Sequence, residues 1–361
     1  MLRRLEVGLV DEGVSVVRAL PAGSMCEPTT GLLAQVTYDD ARWRLASLRR
    51  ARMIERALIA VEPVPRGRDD PPIDLIHAWG EGCWTLAAEL AADLGAGVAF
   101  EVWSSSCLSR LSQFESRWAS RFEAAEAVAL WLAPDHAMES AVLRVPRAWA
   151  SRRSDWGVHV PNEPRPRPTV ESAKGITILS GAEAPGLLAD ALAGFAEAAR
   201  SREDLLAFLP AECVARRPQL WAHAESLGMT GRLSLIPDIE ARRDLVLQTD
   251  MLLLPDRAGE HRTLALEAMA CAIPVVARHD PLIEASSRAR ILGEEQPPGA
   301  HAWSNAITEI LDDPAGAHDR ALAARNYIRT SRLAHRQVAA TLSAYGTLVQ
   351  NPLTLPSNGT A

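Results

Sequence analysis

The stretch that decides the fold is PDRAGEHRTLALEAMACAIPVVARHD, residues 255–280. It holds a helical pattern of apolar residues with one internal acid, Glu267, followed by the strand pattern IPVVAR at 273–278. Another apolar strand pattern, DMLLLPD, stands directly before it at 250–256. A strand, a helix and a second strand in this order form the repeating unit of a parallel α/β sheet.

Composition places the chain among globular proteins. Its 361 residues, 48% of them hydrophobic, are enough for two domains with separate cores. A formal net charge of −7 argues against a nucleic-acid partner. The five cysteines are widely spaced, which predicts neither a disulfide framework nor a metal site and favours a reducing cytoplasm. No continuous apolar segment follows the two arginines near Met1, and no apolar run is long enough to cross a bilayer, so we expect at most a peripheral contact with a membrane.

Short apolar runs alternate with amphipathic segments along most of the chain, which is typical of doubly wound sheets. The alternation stops at VPNEPRPRPTVESAKG (160–175), whose four prolines exclude a helix or a central strand. We therefore predict an N-terminal domain, a linker, a second domain, a C-terminal helix that crosses back onto the first domain, and a disordered tail. Their predicted bounds are 1–161, 162–174, 175–335, 336–350 and 351–361.

The quoted stretch resembles the donor site of the retaining GT-B glycosyltransferases called group 1. EAMA (267–270) and PVVA (274–277) are separated along the chain by the distance expected in that family. The likeness extends back through residues 227–255. In the first domain, IDLIHAWG (73–80) resembles a family strand that ends in a histidine motif. The resemblance implies a GT-B fold, in which two Rossmann-like doubly wound parallel-sheet domains face a central cleft. It also implies that a hexose moves, with retention and without a metal or cofactor, from a nucleoside diphosphate sugar to an acceptor.

The resemblance also implies roles for individual acids. Glu267 matches the acid that contacts the nucleotide ribose. The family's sugar-side acid precedes it by eight residues, which is Gly259 here, so Glu260 fills that role only if the loop is shifted by one residue. His77 stands at the predicted carboxyl end of a strand, where it contacts acceptor or donor. An equally good interpretation is a partly buried histidine satisfied by the backbone.

The loop that should face the diphosphate departs from the family. The Gly181–Gly186 turn is retained, but Ala182 replaces the family's arginine, and Pro185 or Gly186 replaces its lysine. Lys174, the only lysine in the chain, lies at the other end of the strand. A helix N-terminus after this turn still attracts an anion through its dipole.

Several basic side chains are candidates to replace the missing cations. Arg257, His261 and Arg262 flank the altered loop, and Arg278 and His279 follow PVVA. Charged residues in such loops are more often simply solvated.

Two functions of different class therefore stay open. One is a glycosyltransferase whose donor is a nucleotide sugar and whose acceptor is a glycan or a lipid-linked molecule. The other is a degenerate GT-B protein that binds nucleotide, glycan or a partner enzyme without transfer.

The basic helical pattern at 41–58 is typical either of a surface helix packed on the sheet or of peripheral contact with the inner face of the membrane. Compared with the family, the sequence lacks the usual first strand. We therefore expect either a misplaced start at Met1 or an incomplete acceptor side of the cleft.

Overall fold

A computed structural model describes residues 2–22, 33–38, 51–58, 73–165, 174–180, 184–236, 249–259, 262–293 and 298–349. The chain divides into two units, Met1–Asp155 with Ala334–Ala361, and Trp156–Leu333. We predicted the first boundary after residue 161. Residues beyond Asp155 belong with the second unit because Val158 N donates to the Arg332 carbonyl at 2.8 Å and the Arg325 guanidinium donates to the Asn162 carbonyl at 3.1 Å.

The second unit is built on a six-stranded parallel sheet in the order β12-β11-β10-β7-β8-β9. Its strands are β7 Lys174–Ile178, β8 Leu205–Pro210, β9 Leu233–Ile236, β10 Met251–Leu254, β11 Val275–Arg278 and β12 Arg290–Leu292. Its helices are α6 Pro185–Ala199, α7 Ala211–Arg216, α8 Gln219–Ser226, α9 Arg262–Ala270, the 3-10 turn Glu284–Arg288, α10 Ala300–Asp312 and α11 Pro314–Ser331. Counted along the chain, this is the third-second-first-fourth-fifth-sixth order of a doubly wound fold.

The core of the second unit forms where α6 and α10 pack against the sheet. Phe195 and Trp303 are buried there, beside Ile176 and Ile178 of β7. Large side chains of this kind each stabilise the folded state by about 1.5–3 kcal/mol when fully buried. The two helices approach closely at Gly194, where an added Cβ would lie 2.4 Å from Trp303 Cβ and 2.5 Å from the Ala300 carbonyl oxygen.

The first unit contains two parallel sheets, β1-β2 and β3-β4-β5-β6. Their strands are β1 Val17–Pro21, β2 Ala34–Tyr38, β3 Leu75–Ala78, β4 Gly97–Glu101, β5 Ala129–Ala133 and β6 Ala150–Arg153. The helices are α1 Leu2–Asp11, α2 (51–58), the 3-10 turn Glu81–Cys83, α3 Trp84–Leu94, α4 Ser105–Ala124, α5 His136–Arg144 and, from the C-terminus, α12 Ala334–Val349. If the first unit had the strand order of the second, one more strand would lie in space between β1 and β3. The described residues contain no such strand.

Helix α12 packs on the first unit although it follows the second in sequence. Leu348 lies in a core cluster with Ala99 and Leu130, and Thr341 Oγ1 is 2.7 Å from Ser154 Oγ. The tail at 351–361 lies outside the described residues.

Residues 41–50 of the basic helical pattern also lie outside the described residues, while 51–58 are helical. Ala51, Ile54 and Leu58 are buried against β2 and α3, so this apolar stripe faces the core. Arg52 and Arg56 are exposed. In the part of the chain that the structure covers, every helix is too short or too polar to span a bilayer.

Gly194 provides a test of the packing in the second unit. Replacing it by alanine forces a Cβ into the Trp303 side chain and the Ala300 carbonyl, so we expect Gly194→Ala to destabilise the protein by about 1–3 kcal/mol. Gly186→Ala, in the first turn of the same helix, is the matched control, because its added Cβ meets nothing within 4 Å. The shift of the unfolding transition in urea measures both variants. Equal transitions for the two would contradict the packing described here.

Candidate functional site

The carboxyl ends of β7, β10 and β11 lie side by side at one edge of the second sheet. The strand order reverses between β7 and β10, and ligands of open α/β sheets bind at such a switch point. Three segments leave the strands at this edge. The connection from β7 leads to helix α6, β10 continues into a loop with Arg257, and β11 ends on Arg278. We refer to this region as the carboxyl-edge site.

Two arginines interact at the carboxyl-edge site. The pKa of Arg278 is lowered mainly by partial burial and secondly by repulsion from the Arg257 charge. The negative charges of Asp280 and Asp256 raise it. Arg278 Nε is buried and, among the described residues, has no hydrogen-bond partner. An anionic ligand here would reduce the repulsion between the two arginines and would supply an acceptor for the buried Nε–H group.

The loop after β10 is held in shape by two acids, the buried Asp280 and the partly buried Asp256. Asp280, only 3% exposed, accepts hydrogen bonds from Gly259 N at 2.7 Å and Leu282 N at 2.9 Å. Ser180 Oγ, which follows β7, donates to Asp256 Oδ1 at 2.9 Å. Ala258 has φ of 83°, a left-handed conformation that is strained for a residue with a Cβ. The loop is therefore fixed from both neighbouring strands.

Glu267 and Arg262, two of the predicted donor-binding residues, lie on α9 and are both buried, with exposures of 5% and 3%. Arg262 Nη2 donates to the Leu282 carbonyl at 2.7 Å, which anchors the helix start to the chain after β11. This bond gives Arg262 a structural task, and its contact with a diphosphate stays a prediction, as does the contact of Glu267 with a ribose.

The predicted Gly181–Gly186 turn is only partly described, since residues 181–183 lie outside the described ranges. Gly186 is exposed in the first turn of α6, and no side chain of the described residues caps this helix. Pro185 occupies the start of the helix and has no N–H to offer. Two further candidates, Glu260 and His261, also lie outside the described residues.

His77, the candidate in the first unit, lies on β3 with both ring nitrogens facing protein groups. Nδ1 is 2.6 Å from Tyr345 Oη, and Nε2 is 3.3 Å from Glu101 Oε1. Glu101 is fully buried at the end of β4. Burial, and then the charge of Glu101, raise the pKa of Tyr345. This arrangement holds the imidazole in place, and direct contact of His77 with a substrate stays a prediction.

Sequence reasoning identified His77 but missed Glu101 and Tyr345. Glu101 is the one acid in the strand pattern GVAFEVW, which was a usable signal, because an acid in an otherwise apolar buried strand needs a partner. Tyr345 is 268 positions from His77, and no local pattern connects them.

A pocket of about 90 Å³ lies at the opposite, amino edge of the second sheet. Ala272, Ile273 and Leu311 contribute to its apolar lining. Of its cations, Arg165 is paired with Asp250 at 3.1 Å and Arg202 is paired with Asp312. Lys174, Asp204 and His318 also line the pocket, so its lining carries charges of both signs. No group of three metal-ligating side chains occurs in the part of the chain described.

Solved structures with this fold are GT-B glycosyltransferases, so the predicted fold class, two Rossmann-like α/β units of the GT-B type, is confirmed. The chain is similar to sucrose-phosphate synthase from Thermosynechococcus elongatus, with a TM-score of 0.68 and 14% identity over 97% of this chain and 92% of that one. No family model and no curated protein matches the sequence.

Two further similar structures are of proteins that form UDP or were solved with UDP bound. The α,α-trehalose-phosphate synthase (UDP-forming) of Burkholderia vietnamiensis has a TM-score of 0.64 at 12% identity, over 95% of this chain and 98% of that one. Anabaena HepE in complex with UDP and glucose has a TM-score of 0.61 at 17% identity, over 86% of each chain. At these identities the similarity establishes the fold.

The role of Asp280 in shaping the carboxyl-edge site is testable. In Asp280→Ala the amides of Gly259 and Leu282 lose their acceptor, so we expect both to exchange with deuterium about tenfold faster or more, corresponding to at least ~1.4 kcal/mol of local stability. Asp312→Ala is the control, because this acid is 59% exposed and lies in an ion pair with Arg202. Hydrogen exchange followed by mass spectrometry measures both variants. Unchanged exchange at residues 255–259 in Asp280→Ala would refute this role.

Proposed function

We propose that this protein is a retaining glycosyltransferase that binds a nucleoside diphosphate sugar at the carboxyl-edge site and transfers the hexose to an acceptor. The Arg257–Arg278 pair is the observation that carries the proposal. Arg278 is the last residue of β11, Arg257 lies in the loop after the neighbouring strand β10, and the Arg257 charge lowers the pKa of Arg278. A diphosphate carries the negative charge that such a pair needs, and the fold and the switch point are those of nucleotide-binding sheets.

Departure of the nucleoside diphosphate requires stabilisation of the charge that develops on it. Arginine side chains and uncapped helix N–H groups supply this stabilisation without a metal. Arg257, Arg278 and the first turn of α6 lie on three adjacent strand ends and are suited to this task. In this proposal they replace the arginine that the family resemblance leads one to expect at Ala182 and the lysine that it leads one to expect at Pro185 or Gly186.

The other donor contacts follow from the same assignment. Glu267 accepts hydrogen bonds from the ribose hydroxyls after a small movement of its helix, because the residue is only 5% exposed. Glu260 contacts the hexose. The similar HepE structure with UDP and glucose supports a UDP-sugar as the donor to test first.

Pro185 favours a second candidate function, binding of the nucleotide without transfer. It removes one backbone donor from the helix start, and Gly186 offers no side chain there. With fewer N–H donors, the charge that develops on the leaving diphosphate is stabilised less. A degenerate protein of this kind holds the nucleotide but cleaves the sugar slowly or not at all.

Nucleotide binding tests the carboxyl-edge site directly. We expect UDP, GDP or ADP to bind the purified protein, and Arg278→Ala to weaken this binding about 10–100-fold, because a charge-assisted hydrogen bond to phosphate contributes about 1.5–3 kcal/mol. Isothermal titration calorimetry provides the measurement. Arg290→Ala, on β12 and paired with Glu309 at 3.0 Å, should change the affinity less than about twofold. If none of the three nucleotides binds at millimolar concentration, the proposed function fails.

Incubation with UDP-glucose separates the two candidate functions. A transferase should release UDP slowly by hydrolysis even without an acceptor, and Glu267→Ala should abolish UDP binding together with this release. Measurement of UDP by chromatography over hours detects the reaction. Tight UDP binding with no release above the protein-free rate, and none after addition of glycan acceptors, would favour binding without transfer.

A further inference from the structure

The pocket at the amino edge of the second sheet has a lining of two kinds. Apolar side chains come from the connection between α9 and β11 and from the junction of α10 and α11, and they include Ala272, Ile273, Ile310, Leu311 and Ala317. Charged side chains come mainly from the segments that lead into β7, β8 and β10, and they include Arg165, Lys174, Arg202, Asp204 and Asp250. We refer to this cavity as the amino-edge pocket.

Arg165 is the cation of the pocket that is best placed to bind a ligand. Its guanidinium donates to the Thr249 carbonyl and, at 3.1 Å, to Asp250 Oδ1, and its backbone N donates to the Cys271 carbonyl at 2.9 Å. These bonds hold the side chain in position, and 27% of it is exposed. A guanidinium has five N–H groups, so its two bonds to described residues leave donors for a carboxylate.

The two acids of the pocket differ in what they bind. Asp250 uses both carboxylate oxygens, because Oδ1 accepts from Arg165 and Oδ2 accepts from Gly175 N at 2.8 Å. Asp204 is bonded through its backbone carbonyl, which accepts from Lys174 N at 2.8 Å. Within the described ranges, no hydrogen bond or ion pair reaches the Asp204 carboxylate. Asp204 is therefore the acid that accepts from a ligand.

The opposite charges lie on neighbouring strands. Strand β7, which begins with Lys174, lies between β8 and β10, and Asp204 and Asp250 directly precede those two strands. Neighbouring strands are about 4.8 Å apart, so Asp204 is roughly two spacings, or ~10 Å, from the Arg165–Asp250 pair. A carboxylate and an ammonium on one carbon, each with a hydrogen bond of about 2.8 Å to protein, span a comparable ~8–9 Å.

The size of the pocket limits the ligand. Its volume is about 90 Å³. Because a water molecule needs ~10–15 Å³ of such space, the pocket accepts a ligand of about six to nine non-hydrogen atoms. Ile273 and Ile310 are buried and Leu311 is half-buried, so together they offer an apolar surface to an aliphatic side chain. Nucleotides and disaccharides are too large for this space.

We infer that the amino-edge pocket binds a free α-amino acid with a branched aliphatic side chain, of the size of valine, leucine or isoleucine. The carboxylate of the ligand accepts from Arg165, with the positive charge of Lys174 nearby. Its ammonium donates to Asp204, and its side chain packs on the apolar lining. This inference does not rest on the proposed function, which concerns the opposite edge of the sheet.

Other small ligands use only part of this lining. A carboxylic acid without an amine would bring a negative charge near Asp204, and an amine without a carboxylate would bring a positive charge near Arg165 and Lys174. Glycine would leave the apolar side chains in contact with water. An aliphatic zwitterion is the class that matches the charges of both signs and the apolar surface.

Isothermal titration calorimetry of the full chain with leucine, isoleucine and valine tests this inference. We expect at least one of them to bind. For leucine the matched analogues are 4-methylpentanoate, which lacks the ammonium, and 3-methylbutylamine, which lacks the carboxylate. Each should bind about tenfold or more weakly, because each loses a charge-assisted hydrogen bond. Glycine should also bind about tenfold or more weakly, because it lacks the apolar side chain.

Asp204→Asn is the most informative variant, because it removes the charge and keeps the shape of the side chain. It should weaken leucine binding roughly tenfold or more and leave the affinity for 4-methylpentanoate unchanged or higher, a pattern that a loss of structure does not produce. Glu203→Gln is the matched control, because Glu203 is the preceding residue, is exposed and does not line the pocket. It should change leucine affinity less than about twofold.

Absence of binding by all three amino acids to the folded protein would overturn the inference, as would equal affinities for leucine and 4-methylpentanoate. Competitive displacement of UDP by leucine would also overturn it, because leucine would then occupy the carboxyl-edge site. The two proposals fail separately. UDP binding without amino-acid binding refutes only this inference, and amino-acid binding without UDP binding refutes only the proposed transferase.

Discussion

The pairing of β7 with β10 is the contact on which the second unit depends, because the strand order reverses there. Two adjacent side chains fasten it at the amino end. Thr249 Oγ1, fully buried, accepts from Thr177 N at 3.0 Å and lies 2.7 Å from the Gly175 carbonyl oxygen. Asp250 Oδ2 accepts from Gly175 N at 2.8 Å. Once the two strands are aligned at this end, their carboxyl ends are brought together at the other.

The carboxyl-edge site follows from that alignment. Arg257 and Arg278 lie at neighbouring strand ends because β10 and β11 are parallel neighbours, and the charges of Asp256 and Asp280 offset the repulsion that Arg257 exerts on Arg278. Asp280 also fixes the loop through Gly259. A loop whose backbone is fixed by buried hydrogen bonds presents its charges with little reorganisation when an anion arrives, which is the property that electrostatic stabilisation of a leaving group requires.

Much of the fold was predictable from local patterns, and the site was predictable only in part. Apolar runs located strands such as β4, β5 and β10 because these strands are buried along their whole length. The predicted linker ends at Lys174, but in the structure Lys174 is the first residue of β7. It is buried, with 8% of its surface exposed. The contacts of His77 with Glu101 and Tyr345 were not predictable, since they join distant parts of the chain.

In the proposed complex, a diphosphate binds between Arg257 and Arg278 at the carboxyl edge of the second sheet. A crystal structure of the protein with UDP would locate the diphosphate. We expect diphosphate oxygens within hydrogen-bond distance, about 2.7–3.2 Å, of the Arg278 guanidinium, with the start of helix α6 beside them. UDP bound elsewhere, or bound at this edge with its diphosphate in solvent and Arg278 uninvolved, would contradict it.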